Sequence, residues 1–193
     1  LKVSAVIGLP CCFGLYFLSY PVLELIFPGH SDGYMILKYL SLSIPFVIIV
    51  QTTTSILQGI GSYMKPVRNL FIGCVIKIIL TLILVPMKDI NIYGAVAGSI
   101  CGYIVTSVMN LHILKKNLES KINWYEILIK PAYSAILMII LVVIIYNNVY
   151  NFTGSIRISC VLSILAGVLA YVILILLFGT FKYDDIKKKI IKR

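Results

Sequence analysis

A chain of 193 residues that is 60% hydrophobic and only 12% charged, with a mean hydropathy of +1.02, lacks the polar surface of a soluble domain. Its net charge of +10 does not mark a nucleic-acid binder, because the basic residues lie in short connections and a terminal run without any RNA- or DNA-binding motif. The apolar residues run in blocks of about 20, the length a helix needs to cross a hydrocarbon core of roughly 30 Å, so the chain reads as an all-α polytopic membrane protein.

Six spans follow in chain order. The first, Val3–Phe27, carries Pro10, and the second, Met35–Ile60, carries Pro45. Each proline removes a backbone donor and is expected to kink its helix. The third is Val67–Pro86, the fourth Ile92–Leu114, the fifth Pro131–Tyr146 with some extension at either end, and the sixth Ile156–Phe178. Connections 28–33, 61–66 and 87–91 are short enough to join antiparallel neighbours.

Two stretches read as surface segments. In 115–130, Leu118, Ile122, Trp124 and Ile127 stand among charges, and Trp124 and Tyr125 suit the headgroup layer. In the tail 179–193, Ile186 and Ile190 lie one turn apart among lysines, either as a short basic helix drawn to anionic lipid or as a solvated tail. The organisation is therefore four spans over 1–114, an interfacial connection over 115–130, two further spans over 131–178, and a basic tail.

Charge placement predicts orientation. Thirteen Lys and Arg residues, including Lys2, Lys65, Arg68, Lys115, Lys116 and the tail, fall on one side; Lys38, Lys88 and Arg157 fall on the other. The positive-inside rule then puts both termini in the cytoplasm. The chain opens at Leu1 without a signal-peptide pattern, and we expect it to be part of a longer protein. The cysteines Cys11, Cys12, Cys74, Cys101 and Cys160 all lie in apolar runs and read as small fillers, with no metal or disulfide expected. Gly94, Gly98 and Gly102 line one face of the fourth span and read as a helix-packing ridge; Ser159, Ser163 and Gly167 form a weaker stripe on the sixth.

Lys77 is the most informative residue, lying near the middle of the third span. A central Lys costs about 2.5–3.5 kcal/mol on insertion scales. Thirteen Val, Leu, Ile and Phe residues in the span offset this by roughly 4–8 kcal/mol, so the helix still inserts. Gly73, Lys77 and Thr81 share one helical face, and the second span carries Gln51, Ser55 and Gln58 at helical spacing with Thr52 and Thr54 beside them. Both faces are expected to line a wet interior. The one carboxylate within a span is Glu24, near the outer end of the first, in reach of Lys38, Lys88 or Arg157. No acid lies at the depth of Lys77, so either its counter-charge is on helices outside this sequence or the site takes an anionic substrate. His30 and His112 read as solvated interface residues, and Asn151-Phe152-Thr153 as a chance glycosylation pattern held against the membrane. No phosphate loop, nucleophile elbow, catalytic constellation or metal-ligand cluster appears, so neither an enzyme nor a cofactor is expected.

Ile56-Leu-Gln-Gly-Ile-Gly61, Lys65-Pro-Val-Arg-Asn69, Ile72-Gly73 with Lys77, and Asn91-Ile-Tyr-Gly-Ala-Val-Ala-Gly-Ser99 resemble the carboxyl-terminal region of the polysaccharide-biosynthesis family of membrane exporters. Leu9-Pro10, Tyr20-Pro21, Leu25–Phe27 and Lys130-Pro131 extend the resemblance over nearly the whole chain, nearest to the stage V sporulation protein B group. These belong to the multidrug/oligosaccharidyl-lipid/polysaccharide flippase superfamily, which includes the lipid II flippase. The resemblance implies the last six of fourteen spans, a missing N-terminal lobe as partner, and outward movement of an anionic, undecaprenyl-pyrophosphate-linked saccharide at the bacterial plasma membrane. Lys77 matches a lysine common in that span of the family. Two rivals remain: a cation-coupled multidrug exporter of the same superfamily, disfavoured by the lack of midplane carboxylates, and a non-transporting scaffold for wall enzymes.

Overall fold

The structure, a computed structural model, describes residues 1–117 and 129–178. The described residues form eight α-helices and one short 3₁₀ turn, with no strand. They are α1 (Lys2–Phe17), α2 (Ser19–Ile26), α3 (Tyr34–Leu40), the 3₁₀ turn Ser41–Ser43, α4 (Ile44–Gly59), α5 (Met64–Leu84), α6 (Tyr93–Asn117), α7 (Lys130–Thr153) and α8 (Ile156–Leu177). Apolar runs of this length adopt helices because lipid offers no partner for backbone N–H and C=O groups, which must be satisfied within the segment. Five stretches are long and apolar enough to cross a membrane: Tyr34–Gly59, taking α3 and α4 together, and α5, α6, α7 and α8. A sixth is present if α1 and α2 count as one broken span. The chain is thus an all-α, multi-pass membrane protein. Most of the interfacial connection 115–130 and the whole tail 179–193 lie outside the described residues.

Three prolines in the first two spans leave three carbonyls without their usual donors, and each is handled differently. Pro21 lacks the N–H that would bond the Phe17 carbonyl, and its ring crowds that carbonyl. Helix α1 stops at Phe17, Leu18 leaves helical geometry, and α2 sets off at 82° to α1. Pro45 orphans the carbonyl of Ser41, which accepts instead from the Ile44 N–H three residues on; that bond is the 3₁₀ turn. Pro10 orphans the carbonyl of Val6, yet α1 runs unbroken through it, because the Tyr171 hydroxyl of α8 donates to that carbonyl at 2.7 Å. The break expected at Pro10 therefore falls eight residues later, at Leu18, where no other helix among the described residues supplies a donor.

The fifth span is longer than its apolar core suggests. Helix α7 continues past Tyr146 through Asn147, Asn148 and Asn151, and ends where Gly154 takes a left-handed conformation at φ 61°. That turn leads directly into α8, so α7 and α8 form a tight hairpin.

In space the helices follow the order α5, α6, α4, α1, α7, α8, each packed on the next. The two ends of this row differ in chemistry. Around α1, α7 and α8 the interior is apolar, built from Val6, Leu18, Ala135, Met138, Ile139, Val142, Tyr171 and Ile175. Between α4, α5 and α6 it is polar, with Thr53, Asn69, Thr106 and Asn110 almost fully buried. Small residues set the close approaches. A Cβ on Gly8 would lie 2.6 Å from Ile48 Cδ1, and one on Gly167 2.5 Å from Val142 Cγ2. In lipid such backbone proximity, not burial from water, drives helices together.

Candidate functional site

Helix α5 presents Asn69, Gly73, Lys77 and Thr81 at four-residue spacing toward α6, which answers with Gly94, Gly98, Gly102, Thr106 and Asn110. The fit is close. A Cβ on Gly73 would collide with Thr106 Oγ1 and stand 2.7 Å from the Gly102 carbonyl; one on Gly98 would stand 2.8 Å from Thr81 Oγ1. A Cβ on Gly94 would lie 2.6 Å from Leu84 Cβ. Thr81 Oγ1 is buried in this seam with no hydrogen-bond partner among the described residues.

Lys77 starts in the same seam and leaves it. Its Cβ lies 3.2 Å from where a Cβ on Gly102 would stand, yet the residue is exposed. Among the described residues its ammonium has no ion-pair or hydrogen-bond partner. It therefore sits at the lip of the α5–α6 contact.

Helix α4 divides its polar residues among three directions. Thr53 and Thr54 accept hydrogen bonds from Asn110 of α6, and Thr52 donates to Ser4 of α1 at 2.7 Å. Gln51, Ser55 and Gln58 face neither neighbour and are exposed, with the Ser55 hydroxyl donating to the Gln51 carbonyl. Helix α6 lies between α4 and α5; α4 and α6 run in the same direction and α5 runs against them. Lys77 and the trio Gln51, Ser55 and Gln58 are exposed on their own helices, and no hydrogen bond among the described residues joins Lys77 to them.

The acidic partner considered for the outer cations is engaged elsewhere. Glu24 accepts from the Gly29 backbone N–H at 3.1 Å, closing the turn after α2, while Lys38 lies over the Tyr16 ring at 5.0 Å. Tyr20–Tyr34 and Tyr39–Tyr93 ring pairs at that same end form an aromatic girdle suited to a headgroup layer. The stripe on α8 lies inside the α7–α8 hairpin: Ser159 and Ser163 are fully buried, and each donates to the carbonyl four residues back. Among the described residues no group of three His, Cys, Asp or Glu could hold a metal.

The sequence reading passed over the polar joint itself. Asn110 Oδ1 accepts from Asn69 Nδ2 at 2.9 Å, and Asn110 Nδ2 donates to Thr53 and Thr54, so one amide ties α4, α5 and α6 together. A lone Asn within an apolar span was the available signal. A separate groove of about 510 Å³ lies between α1 and α8, walled by Ile7, Pro10, Gly14, Val168, Tyr171 and Val172 among others. Compared with family models, curated proteins and solved structures, the chain matches none.

Proposed function

We propose that this chain is the carboxyl-terminal part of a membrane flippase that moves an undecaprenyl-pyrophosphate-linked saccharide or peptidoglycan precursor outward by alternating access. It would do so at a bacterial plasma membrane, with its six spans and two cytoplasmic ends serving cell-wall or spore-wall assembly. The observation that carries this reading is Lys77: a cation at mid-span, exposed at the edge of the α5–α6 seam and without a partner among the described residues. A positive charge there favours an anionic head group. Unit charges 4 Å apart attract by about 1 kcal/mol in water and about 4 kcal/mol at the dielectric of a protein surface. The amides and hydroxyls of α4 add donors and acceptors for sugar or phosphate oxygens. The resemblance of 56–61, 65–77 and 91–99 to polysaccharide exporters supports the same substrate class, and the charge asymmetry supports the orientation.

The test is complementation in a strain that depends on the full-length gene, with membrane insertion measured in parallel. Lys77→Arg should retain activity, and Lys77→Ala and Lys77→Gln should lose most of it while inserting normally. Full activity from Lys77→Ala would remove the reading and favour a scaffold.

A further inference from the structure

Helix α1 contains a proline seven residues before its end and yet keeps its path, where another helix supplies the missing donor. Pro10 has no N–H, so the Val6 carbonyl cannot make its helical bond. The surroundings are apolar: Ile7, Pro10, Val168 and Val172 line the same groove wall. Tyr171 is 7% exposed, and its hydroxyl is the donor that reaches the Val6 oxygen, at 2.7 Å. A carbonyl left bare in such a setting carries a penalty that bending the helix relieves, by tilting the oxygen toward whatever polar group or water it can find.

We propose that Pro10 is a latent hinge in α1 and that the Tyr171 hydroxyl is its detachable latch, so that docking of the α7–α8 hairpin selects the straight form of α1. With the latch closed, α1 presents Gly8 to Ile48 and Ser4 to Thr52, which seats it against α4. With the latch open, α1 bends at Pro10, the groove beside α8 widens, and the α1–α4 contact shifts. Movement of the hairpin is thereby transmitted through α1 to α4. The coupling is reciprocal: whatever moves α4 against α1 changes the hold of α8. The inference concerns the chain's mechanics and stands apart from the substrate assigned to it.

Hydrogen–deuterium exchange of the full chain in nanodiscs tests it, with three variants: Tyr171→Phe, Pro10→Ala, and the two combined. Tyr171→Phe removes only the hydroxyl, and exchange in the α1 segment 7–14 should rise about tenfold, the effect of losing one buried hydrogen bond. Pro10→Ala restores an N–H for the Val6 carbonyl, so adding Tyr171→Phe to it should leave exchange in that segment unchanged. If Tyr171→Phe fails to fold and the double variant folds, the proposal holds by the same logic. Unchanged exchange in Tyr171→Phe would overturn it. So would an equal rise in both backgrounds, or failure of both the single and the double variant to fold.

Discussion

Asn69 and Asn110, 41 residues apart in sequence, meet amide to amide at 2.9 Å inside the seam of α5 and α6. The contact fixes the register of the two helices. It also reaches a third, because the second side of the Asn110 amide holds Thr53 and Thr54 of α4. Within lipid a polar group has few alternatives, so such a joint gives three otherwise greasy helices one preferred arrangement.

Asn110→Ala removes three of these bonds at once. Interhelical hydrogen bonds in membranes average about 0.6 kcal/mol and reach about 1.7, so the loss should be about 1–2 kcal/mol. Asn110→Ala should unfold at lower denaturant than Thr54→Val, which removes one acceptor. Equal midpoints for the two would mean that Asn110 is not the hub.

Gly73→Ala should separate α5 from α6, because the added methyl meets Thr106 Oγ1 and the backbone oxygen of Gly102, and backbone does not move aside cheaply. Gly14→Ala is the matched control: a Cβ at Gly14 has nothing within 4 Å. Thermal unfolding in nanodiscs should drop clearly for Gly73→Ala and stay level or rise for Gly14→Ala.

Pro45→Ala restores the N–H that the Ser41 carbonyl lacks, and the Ser41–Ser43 turn should relax into continuous α-helix from Tyr34 to Gly59. The amide of residue 45 should then be protected from exchange. If it exchanges freely, the turn is held by its surroundings and not by the proline.

Much of the fold was legible because insertion into lipid reduces the choice to helices, and block length gives their bounds. The stretches 34–59, 64–84, 93–117 and 156–177 follow from that rule to within a few residues. What the sequence could not supply was pairing. Pro10 and Pro21 look alike along the first span, and the outcome differs because Tyr171, 165 residues beyond Val6, lies beside one of the two orphaned carbonyls. Periodicity says which residues share a face but not which hydroxyl meets which carbonyl. Likewise the face bearing Gly73, Lys77 and Thr81 was visible, but not that Gly73 and Thr81 are closed into the α6 seam while Lys77 escapes at its edge. Asn69 and Asn110 were single polar letters in apolar runs, and only tertiary structure makes them one joint.

The central claim is that Lys77 borders water and not lipid. The direct measurement is the reaction of a Lys77→Cys variant, in a background without the five native cysteines, with a small membrane-impermeant thiol reagent applied to full-length protein in membranes. The account predicts labelling well above that of Ile79→Cys, which is exposed on another face of α5. Labelling no faster than at Ile79 would place the ammonium against lipid chains and contradict the account.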